Sequence, residues 1–341
     1  MSKKALIAMS GGVDSSVCAY LAQKAGYECV GVTMKLCGKD SDTEDALDAA
    51  KVCKKLGMEH IVLDLREEFR CSVIDNFVKE YERGATPNPC IVCNKKLKFG
   101  LLFDKAKELG CDVLVTGHYA RTDKKGHLLK AKDIKKDQSY VLYPIDREKL
   151  SSLYFPLGEI TKEEARSIAL EQGFVTAHKS DSQDICFVPD GDYAGVIKDY
   201  TGKKYPEGDF VDTEGNILGR HKGIISYTVG QRKGLGIAFG KPMYVRGKDV
   251  EKNRVILSEN HELFQKELTS SDFNLLIQCV EKQIKAKAKV RYNQTEQDAT
   301  VYFEDGKKVR IVFDEPQRAI APGQSVVVYD GDVVVGGGII D

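Results

Sequence analysis

The chain has 341 residues, of which 42% are hydrophobic and 30% are charged, and its 51 basic residues balance its 51 acidic ones. This composition excludes a disordered or fibrous protein, and the length predicts two or three domains. No apolar run is long enough to span a membrane and no signal peptide is evident, so we expect a cytoplasmic protein. Balanced charge gives no support to nucleic-acid binding, although a local basic face would suffice for it.

Short apolar segments alternate with helical patterns in the first half of the chain. The predicted strands are Ala5–Met9, Val30–Met34, Ile61–Leu65 and Val113–Thr116. The predicted helices are Ser15–Ala25, Thr43–Leu56, Glu67–Arg83 and Lys95–Leu109, and a capping box predicts a further helix over Thr161–Gln172. This alternation predicts an α/β fold with a doubly wound parallel sheet, whose ligands bind at the carboxyl ends of the strands.

The second half of the chain has a different pattern. From about Tyr205, short alternating strands are separated by Gly, Asp and Asn turns such as Asp212–Asn216. We therefore predict a doubly wound domain over residues 1–200, a small mostly-β domain over 201–262 and a C-terminal β-barrel over 263–341.

A segment rich in glycine and serine, Ser10–Ser16, joins the first predicted strand to the first predicted helix. In such a turn, backbone N–H groups and the positive end of the helix dipole converge on an anion, and the glycines let the main chain approach a phosphate closely. The segment is not a Walker A motif, because it has no Gly-Lys-Ser/Thr end and no lysine near Ser15. It predicts a pyrophosphate-binding loop with Asp14 as a ligand for Mg²⁺, and a plain strand-to-helix turn is the alternative.

Ten cysteines in a chain of this size do not suggest a secreted disulfide framework, and we expect most to be packing residues in a reducing compartment. Cys90 and Cys93 differ, because they form a C-x-x-C pair after two prolines that disfavour helix. We expect a helix to begin near Cys93 and to lower the pKa of that thiol. The spacing alone fits a redox dithiol, half of a metal site or coincidence.

Cys186 is the other candidate, since it stands in the polar segment Asp181–Phe187 before a loop, although a buried packing thiol is the alternative for it. We assign no chemistry to the loop Cys37–Thr43. The cysteines that we expect to be packing residues are Cys18, Cys29, Cys53, Cys71, Cys111 and Cys279.

Several motifs together resemble a known family. Ser10–Ser16 resembles the PP-loop of the N-type ATP pyrophosphatases, whose fold is the adenine nucleotide alpha hydrolase-like sheet. The further matching segments are Asn88–Asn94, Thr116–Ala120, Lys136–Tyr140, Asp184–Phe187 and Tyr227–Gly234. This ordered set covers essentially the whole chain and is similar to the bacterial tRNA-specific 2-thiouridylases (the MnmA/TrmU family). The resemblance implies that ATP adenylates the C2 oxygen of a wobble uridine, and that sulfur then replaces this oxygen with release of AMP.

The resemblance also implies the residues of the site. Cys93 matches the nucleophile and Cys186 matches the cysteine that carries a persulfide. The residues that match ATP contacts are Ala8, Met9, Ser10, Gly11, Gly12, Val13, Asp14, Ser15, Met34 and Gly117. The residues that match tRNA contacts are Asn88, Pro89, Cys90, His118, Lys136, Asp137, Gln138, Arg291, Tyr292 and Gln324, of which the first three hold the target base. Without the family pattern, His118 reads equally well as a structural histidine, Lys136 as a solvated charge and Arg291–Tyr292 as an exposed pair on a strand.

The chain departs from the family at Cys90, where many members carry an aspartate that is read as an acid–base group. Two sulfur routes therefore stay open. One uses a persulfide on Cys186 together with Cys93, whose cycle includes a disulfide between them, and the other uses a [4Fe-4S] cluster held by Cys90, Cys93 and Cys186. The implied cofactors are ATP and Mg²⁺, with the cluster on the second route. The implied partners are tRNAs of the Lys, Glu and Gln type and a persulfide or sulfide donor such as a cysteine desulfurase relay, and no membrane is involved.

Two other functions would use only parts of this sequence. An amide-forming PP-loop ligase adenylates a carboxylate, and it has no need for Cys90, Cys93 and Cys186 outside a glutaminase-type domain. A non-enzymatic iron–sulfur or RNA-binding module has no need for Ser10–Ser16. Release of pyrophosphate only in the presence of tRNA separates the three functions.

Overall fold

The computed structural model describes residues 3–38, 44–180, 185–188, 190–238, 240–278, 281–304 and 306–341. Within these ranges the chain forms three sheets, and each packs against buried apolar side chains. None of the described helices combines the length and the apolar character that crossing a membrane requires.

The strands of the described residues are β1 Lys4–Ala8, β2 Glu28–Lys35, β3 Glu59–Asp64, β4 Val113–Val115, β5 Ala120–Thr122, β6 Leu128–Lys130, β7 Leu153–Tyr154, β8 Gly208–Val211, β9 Ile217–His221, β10 Tyr244–Asp249, β11 Arg254–Ser258, β12 Phe264–Ser270, β13 Asn274–Leu275, β14 Gln283–Lys289, β15 Gln297–Phe303, β16 Val309–Arg318, β17 Ser325–Asp330 and β18 Val333–Ile339.

The α-helices of the same residues are α1 Val13–Lys24, α2 Glu44–Lys55, α3 Arg66–Phe69, α4 Asp75–Glu82, α5 Pro89–Cys93, α6 Leu102–Glu108, α7 Lys162–Glu171 and α8 Tyr193–Thr201. Two π-helical segments, Arg70–Ile74 and Asn94–Leu101, connect α3 to α4 and α5 to α6 without a break. Short 3₁₀-helices occupy Ser139–Leu142, Arg147–Ser152, Pro156–Glu159, Ile224–Ser226 and Asn260–Leu263.

The first sheet is wholly parallel and has the order β3-β2-β1-β4-β7. Winding therefore reverses between β1 and β4, and such a reversal leaves a crevice at the carboxyl ends of the two strands. Helices cover both faces, with α1, α2 and α7 on the side of Ile7 and α6 on the side of Leu6. The predicted doubly wound sheet is confirmed.

The helix that carries the C-x-x-C pair begins earlier than predicted. We expected the prolines to exclude helix up to Cys93, but α5 already begins at Pro89. Asn88 is the N-cap, and its side-chain oxygen accepts a hydrogen bond from the backbone N–H of Cys90 at 3.1 Å. The expectation was wrong because proline is tolerated in the first turn of a helix, where its missing N–H has no intrahelical partner to lose.

The capping box at α7 is confirmed. The hydroxyl of Thr161 accepts from the backbone N–H of Glu164 at 3.2 Å, and the Glu164 carboxylate accepts from the N–H of Thr161 at 2.7 Å. This reciprocal pair fixes the first turn of α7. It therefore also fixes the direction in which the side chain of Lys162, the first residue of the helix, points.

The second sheet has the order β10-β11-β8-β9, with β11 and β8 parallel and the other pairs antiparallel. Its buried face includes Phe210 and Val245, which pack with Phe77 and Tyr81 of α4. A helix of the first half of the chain therefore completes the core of the second sheet.

The third sheet has the order β12-β16-β15-β14-β17-β18-β6-β5, with β13 paired to β18. Its strands enclose one cluster, and the N–H of Asp341 donates to the carbonyl of Thr269 at 3.1 Å, so the chain after β18 returns to β12. The hairpin of β5 and β6 joins the edge through Val333 and Leu129. The sequence patterns did not predict that this hairpin belongs to a sheet built mainly from the last third of the chain.

Candidate nucleotide and thiol site

The loop between β1 and α1 is shaped by its own hydroxyl groups. The Gly12 carbonyl accepts from Ser15 Oγ at 3.1 Å and from Ser16 Oγ at 2.8 Å, and Ser10 Oγ donates to Ser15 Oγ at 3.3 Å. Gly12 is the N-cap of α1 and provides no side-chain cap. The first N–H groups of α1 are thus left for an anion, where the helix dipole favours negative charge.

Gly11 is required by its surroundings. Its φ is +72°, and a Cβ built on it would lie 2.2 Å from the carbonyl oxygen of Asp45 at the start of α2. Gly12 has φ −101°, and the nearest atom to its added Cβ would be Ser10 Oγ at 3.6 Å. The first glycine therefore allows α2 to close on the loop, whereas the second leaves open space in front of α1.

A lysine distant in sequence completes the loop. Lys162 Nζ donates to Asp14 Oδ1 at 2.7 Å, and the hydroxyl of Tyr119 donates to the same oxygen at 3.0 Å. The side chain of Lys162 is only 7% exposed and that of Asp14 is 33% exposed. No lysine lies near Ser15 in the sequence, so the local pattern did not predict the contact between Lys162 and Asp14. The available signal was the capping box, which places this residue at the start of a helix packed on α1.

Lys162 and Tyr119 both contact Oδ1 of Asp14, the residue that the sequence predicts to be a ligand for Mg²⁺. One carboxylate together with substrate phosphates is a common protein environment for this ion. The remaining predicted ATP contacts also lie at this edge of the sheet. Met34 is near the end of β2, and Gly117 follows β4 with its Cα facing Asp14. The structure therefore brings the predicted ATP residues together at the carboxyl ends of the strands.

The thiols lie at the same edge of the sheet. Cys93 packs in a cluster with Phe69, Val73 and Leu97 that also includes Leu36 and Phe187, and we call this set the Phe69 cluster. Leu36 follows β2, and Phe187 is the neighbour of Cys186 in the chain. This packing puts Cys93 next to the segments that carry Cys37 and Cys186.

The three predicted site cysteines all have raised pKa values. Burial raises the pKa of Cys93, which is 9% exposed, and also that of Cys90, while the Lys98 ammonium opposes both shifts. Burial and then the neighbouring thiols Cys37, Cys93 and Cys90 raise the pKa of Cys186 to about 12. The expected lowering of the Cys93 pKa was wrong, because the helix begins four residues earlier and Cys93 lies inside the fold.

The described cysteines are free thiols. Within the described ranges, no three His, Cys, Asp or Glu side chains lie close enough together to hold a metal ion.

The packing role predicted for other cysteines is confirmed for the four that are buried, namely Cys18, Cys29, Cys53 and Cys111. Cys71 is exposed, so its predicted packing role was wrong, since its thiol contacts Glu67 and Arg70 on the surface of the helix. Cys279, Asp181–Asp184 and the part of the Cys37 loop after Gly38 lie outside the described residues.

His118 contacts Thr116, which directly follows β4, and Lys98, which lies near the site thiols. Its Nδ1 lies 2.8 Å from Thr116 Oγ1, and its Nε2 lies 3.4 Å from Lys98 Nζ. Burial and the Lys98 charge hold the pKa of His118 well below its usual value. The neutral ring thus accepts from Lys98 through Nε2 and donates to Thr116 through Nδ1, which fixes the lysine close to the thiols.

Several predicted tRNA residues make protein contacts. The hydroxyl of Tyr292 donates to the Asp137 carbonyl at 3.1 Å, and Gln138 Oε1 accepts from the N–H of Tyr119 at 3.0 Å. Lys136 is half-buried in the same turn. These contacts bring a turn of the third sheet beside the first sheet. Burial, and then the nearby Asp137 and Cys90, raise the pKa of Tyr292.

The other two predicted tRNA residues, Arg291 and Gln324, contact segments that are distant from them in the chain. Arg291 Nη2 donates to the carbonyls of Val229 at 3.1 Å and Ala319 at 2.9 Å, and Gln324 Nε2 donates to the Thr86 carbonyl at 2.7 Å. Arg291 lies in the turn after β14 and not on a strand, so the alternative of an exposed pair on a strand does not describe it. The segment that leads into α5 is therefore supported by the last third of the chain.

Comparison with known proteins gives a consistent result. The model described as tRNA methyl transferase HUP domain matches residues 3–190, the tRNA methyl transferase PRC-barrel domain matches 194–259, and the Aminomethyltransferase beta-barrel domain matches 265–340. The tRNA-specific 2-thiouridylase MnmA of Clostridioides difficile is 49% identical, covering 100% of this chain and 99% of the relative. The chain belongs to the MnmA family.

A second MnmA relative, from Acetivibrio thermocellus, is 50% identical and covers 99% of both chains. The resemblance predicted from the motifs is thereby confirmed. Among solved structures, the U34-tRNA thiolase NcsA from Methanococcus maripaludis with its [4Fe-4S] cluster is a distant likeness, with a TM-score of 0.37 and 22% identity. It covers 59% of this chain and 64% of that chain.

The two glycines of the loop give a test of its geometry. We expect Gly11→Ala to lower the free energy of unfolding by more than about 1 kcal/mol, because the left-handed backbone alone costs a side chain that much and the Asp45 clash adds to it. Gly12→Ala is the matched control and should unfold like the unchanged protein. Urea unfolding followed by circular dichroism measures both, since the chain has no tryptophan. Equal losses in the two variants would contradict this account of the loop.

Proposed function

We propose that this protein is an ATP-dependent tRNA-uridine 2-sulfurtransferase that converts the wobble uridine of Lys-, Glu- and Gln-type tRNAs to 2-thiouridine. The observation that supports it is the meeting of a phosphate-binding turn with a group of thiols at one edge of the sheet. Membership of the MnmA family supports the same reaction. A cytoplasmic location, where tRNA and free thiols occur together, is part of the proposal.

The first step activates the C2 oxygen of uracil, which is a poor leaving group. The oxygen attacks the α-phosphorus of ATP, and pyrophosphate leaves into the turn formed by Ser10–Ser16. Lys162 and the N–H groups of α1 stabilise the charge that develops on the leaving group. Mg²⁺ on Asp14 and the phosphates would neutralise further charge. The product of this step is a uridine whose C2 oxygen carries AMP.

The second step replaces that oxygen by sulfur. A persulfide on Cys186 attacks C2 through its terminal sulfur, and AMP departs with the oxygen. Cys93 then attacks the Sγ of Cys186, which breaks the S–S bond, leaves the terminal sulfur on C2 and forms a disulfide between the two cysteines. The Lys98 ammonium, held by His118, stabilises the sulfur anions that appear in both stages.

The tRNA approaches the thiols across the border of the three sheets. We propose that Asn88, Pro89 and Cys90 lie against the target base, and that the anticodon backbone is held by Lys136–Gln138 and by the turn with Arg291 and Tyr292. The contacts of these residues in the free protein then position them for RNA. Phosphate contacts of this kind make the affinity fall as the salt concentration rises.

Two competing functions use less of the site. Two of the three family models are described as tRNA methyl transferase domains, but methyl transfer requires neither a pyrophosphate-binding turn nor paired thiols. An amide-forming PP-loop ligase would use the turn and leave Cys93 and Cys186 without a role. Mass analysis of tRNA nucleosides, after incubation with ATP, a persulfide donor and a methyl donor, separates a thiolated product from a methylated one and from none.

The nucleotide step gives one prediction. We expect Lys162→Met to slow the tRNA-dependent formation of AMP and pyrophosphate by about 100-fold or more, because a single well-placed charged donor contributes that much in a desolvated site. Lys132→Met, which removes an exposed lysine paired with Glu159, is the control and should keep the normal rate. Wild-type rates in Lys162→Met would remove this lysine from the mechanism.

The sulfur step gives a second prediction. Cys93→Ser and Cys186→Ser should each abolish 2-thiouridine while retaining ATP binding, because the phosphate-binding turn does not include either thiol. Nucleoside analysis and equilibrium binding of ATP provide the two measurements. Normal thiolated tRNA from either variant would refute the role assigned to that cysteine. Without pyrophosphate release by the unchanged protein in the presence of tRNA, the whole proposal fails.

The persulfide route rather than a cluster is part of the proposal, since the three thiols have raised pKa values and do not form a metal-ligand group in the described residues. We expect the protein to stay colourless after anaerobic treatment with iron and sulfide followed by desalting. It should also thiolate tRNA fully with a persulfide donor in the presence of an iron chelator. A visible charge-transfer band together with activity that requires it would support the cluster instead.

A further inference from the structure

Cys37 is a fourth thiol beside the site. It follows β2 by two residues, and its neighbour Leu36 packs in the Phe69 cluster together with Cys93 and with Phe187, the neighbour of Cys186. Three cysteines from three separate parts of the chain therefore surround one apolar cluster. The sequence pattern predicts no chemistry for the loop that carries Cys37.

The surroundings of Cys186 place Cys37 close to it. After burial, the largest influence on the pKa of Cys186 comes from Cys37, ahead of Cys93 and Cys90. Cys37 and Cys186 are exposed, whereas Cys93 is 9% exposed. The thiols thus range from the exposed Cys37 and Cys186 to the buried Cys93, and the segments that carry them meet at the Phe69 cluster.

The backbone also distinguishes these thiols. Cys93 is fixed in α5, while Cys37 and Cys186 lie in a bend and a turn outside any helix or strand. A disulfide requires Cα atoms about 4.4–6.8 Å apart and a specific dihedral angle. Irregular segments can adjust to such a geometry more easily than a helix, so Cys186 can exchange between partners.

The proposed reaction creates a need for such an exchange. Each turnover leaves a disulfide between Cys93 and Cys186, and two electrons must enter before the next persulfide can load. Of the two sulfurs in this disulfide only that of Cys186 is exposed, and a thiol held beside it in the same molecule attacks it faster than a dissolved thiol does. Cys93 is therefore released slowly unless a thiol of the protein itself attacks Cys186.

Resting on the proposed function, we propose that Cys37 is the resolving thiol of the enzyme. Its thiolate attacks the Sγ of Cys186, the Cys93–Cys186 bond breaks, and Cys93 leaves as a thiolate that takes up a proton. The new disulfide joins Cys37 to Cys186 at the surface. An external dithiol reductant then supplies two electrons and two protons and becomes a cyclic disulfide, which returns Cys37 and Cys186 to free thiols.

Comparison of single and multiple turnovers tests the proposal on the full-length protein. Enzyme loaded with one persulfide equivalent is mixed with tRNA and ATP, and 2-thiouridine is counted with and without a dithiol reductant and further persulfide. We expect Cys37→Ser to give a normal first turnover and to slow later ones at least about tenfold, because a neighbouring thiol attacks a disulfide far faster than a dissolved one does. Cys71→Ser, which removes another exposed thiol outside the cluster, is the matched control and should resemble the unchanged protein.

Peptide mapping after one turnover without reductant supplies the second measurement. The unchanged protein should yield a Cys37–Cys186 disulfide, and Cys37→Ser should yield only Cys93–Cys186. Normal later turnovers in Cys37→Ser, a lost first turnover, or stalling in Cys90→Ser alone would each overturn the proposal. Failure of the unchanged protein to complete even the first turnover would instead refute the proposed function, so the two failures are distinguishable.

Discussion

The reversal of winding between β1 and β4 determines where chemistry can occur in this protein. All five strands of the first sheet run in one direction, so their carboxyl ends share an edge, and the reversal prevents the connecting segments from covering it. The phosphate-binding turn follows β1, Leu36 follows β2 and His118 follows β4. Segments that are distant in the chain thus become neighbours because a single topology assigns them to one edge.

Burial affects the ion pair and the thiols at this edge of the sheet in different ways. The side chain of Lys162 is only 7% exposed, and it forms an ion pair with the partly exposed Asp14 at 2.7 Å. For the thiols, burial raises the pKa, because it makes their anions costly. The thiols therefore stay protonated until a substrate changes the surroundings. The same edge therefore holds a buried ion pair beside thiols whose anions are disfavoured.

The sequence predicted features that depend on short-range patterns. The strands, the glycine–serine turn between β1 and α1 and the capping box at Thr161 follow from local spacing, and the structure agrees with them. Features that depend on distant partners were missed, since nothing near Ser15 indicates Lys162 and nothing near Leu128 indicates its pairing with β18. The start of α5 was misjudged because proline both ends helices and begins them, and only the Asn88 cap decides between the two.

Thr86 shows how late the site is completed. Its N–H donates to the carbonyl of Pro322 at 2.9 Å, and its own carbonyl accepts from Gln324, so both backbone groups of this buried residue are satisfied by a segment more than two hundred positions further along. While the chain is being synthesised, the approach to α5 lacks these partners until the last sheet has emerged from the ribosome. A nascent chain can form the turn between β1 and α1 early, whereas the segment that leads to Cys90 and Cys93 gains these contacts only in the finished molecule.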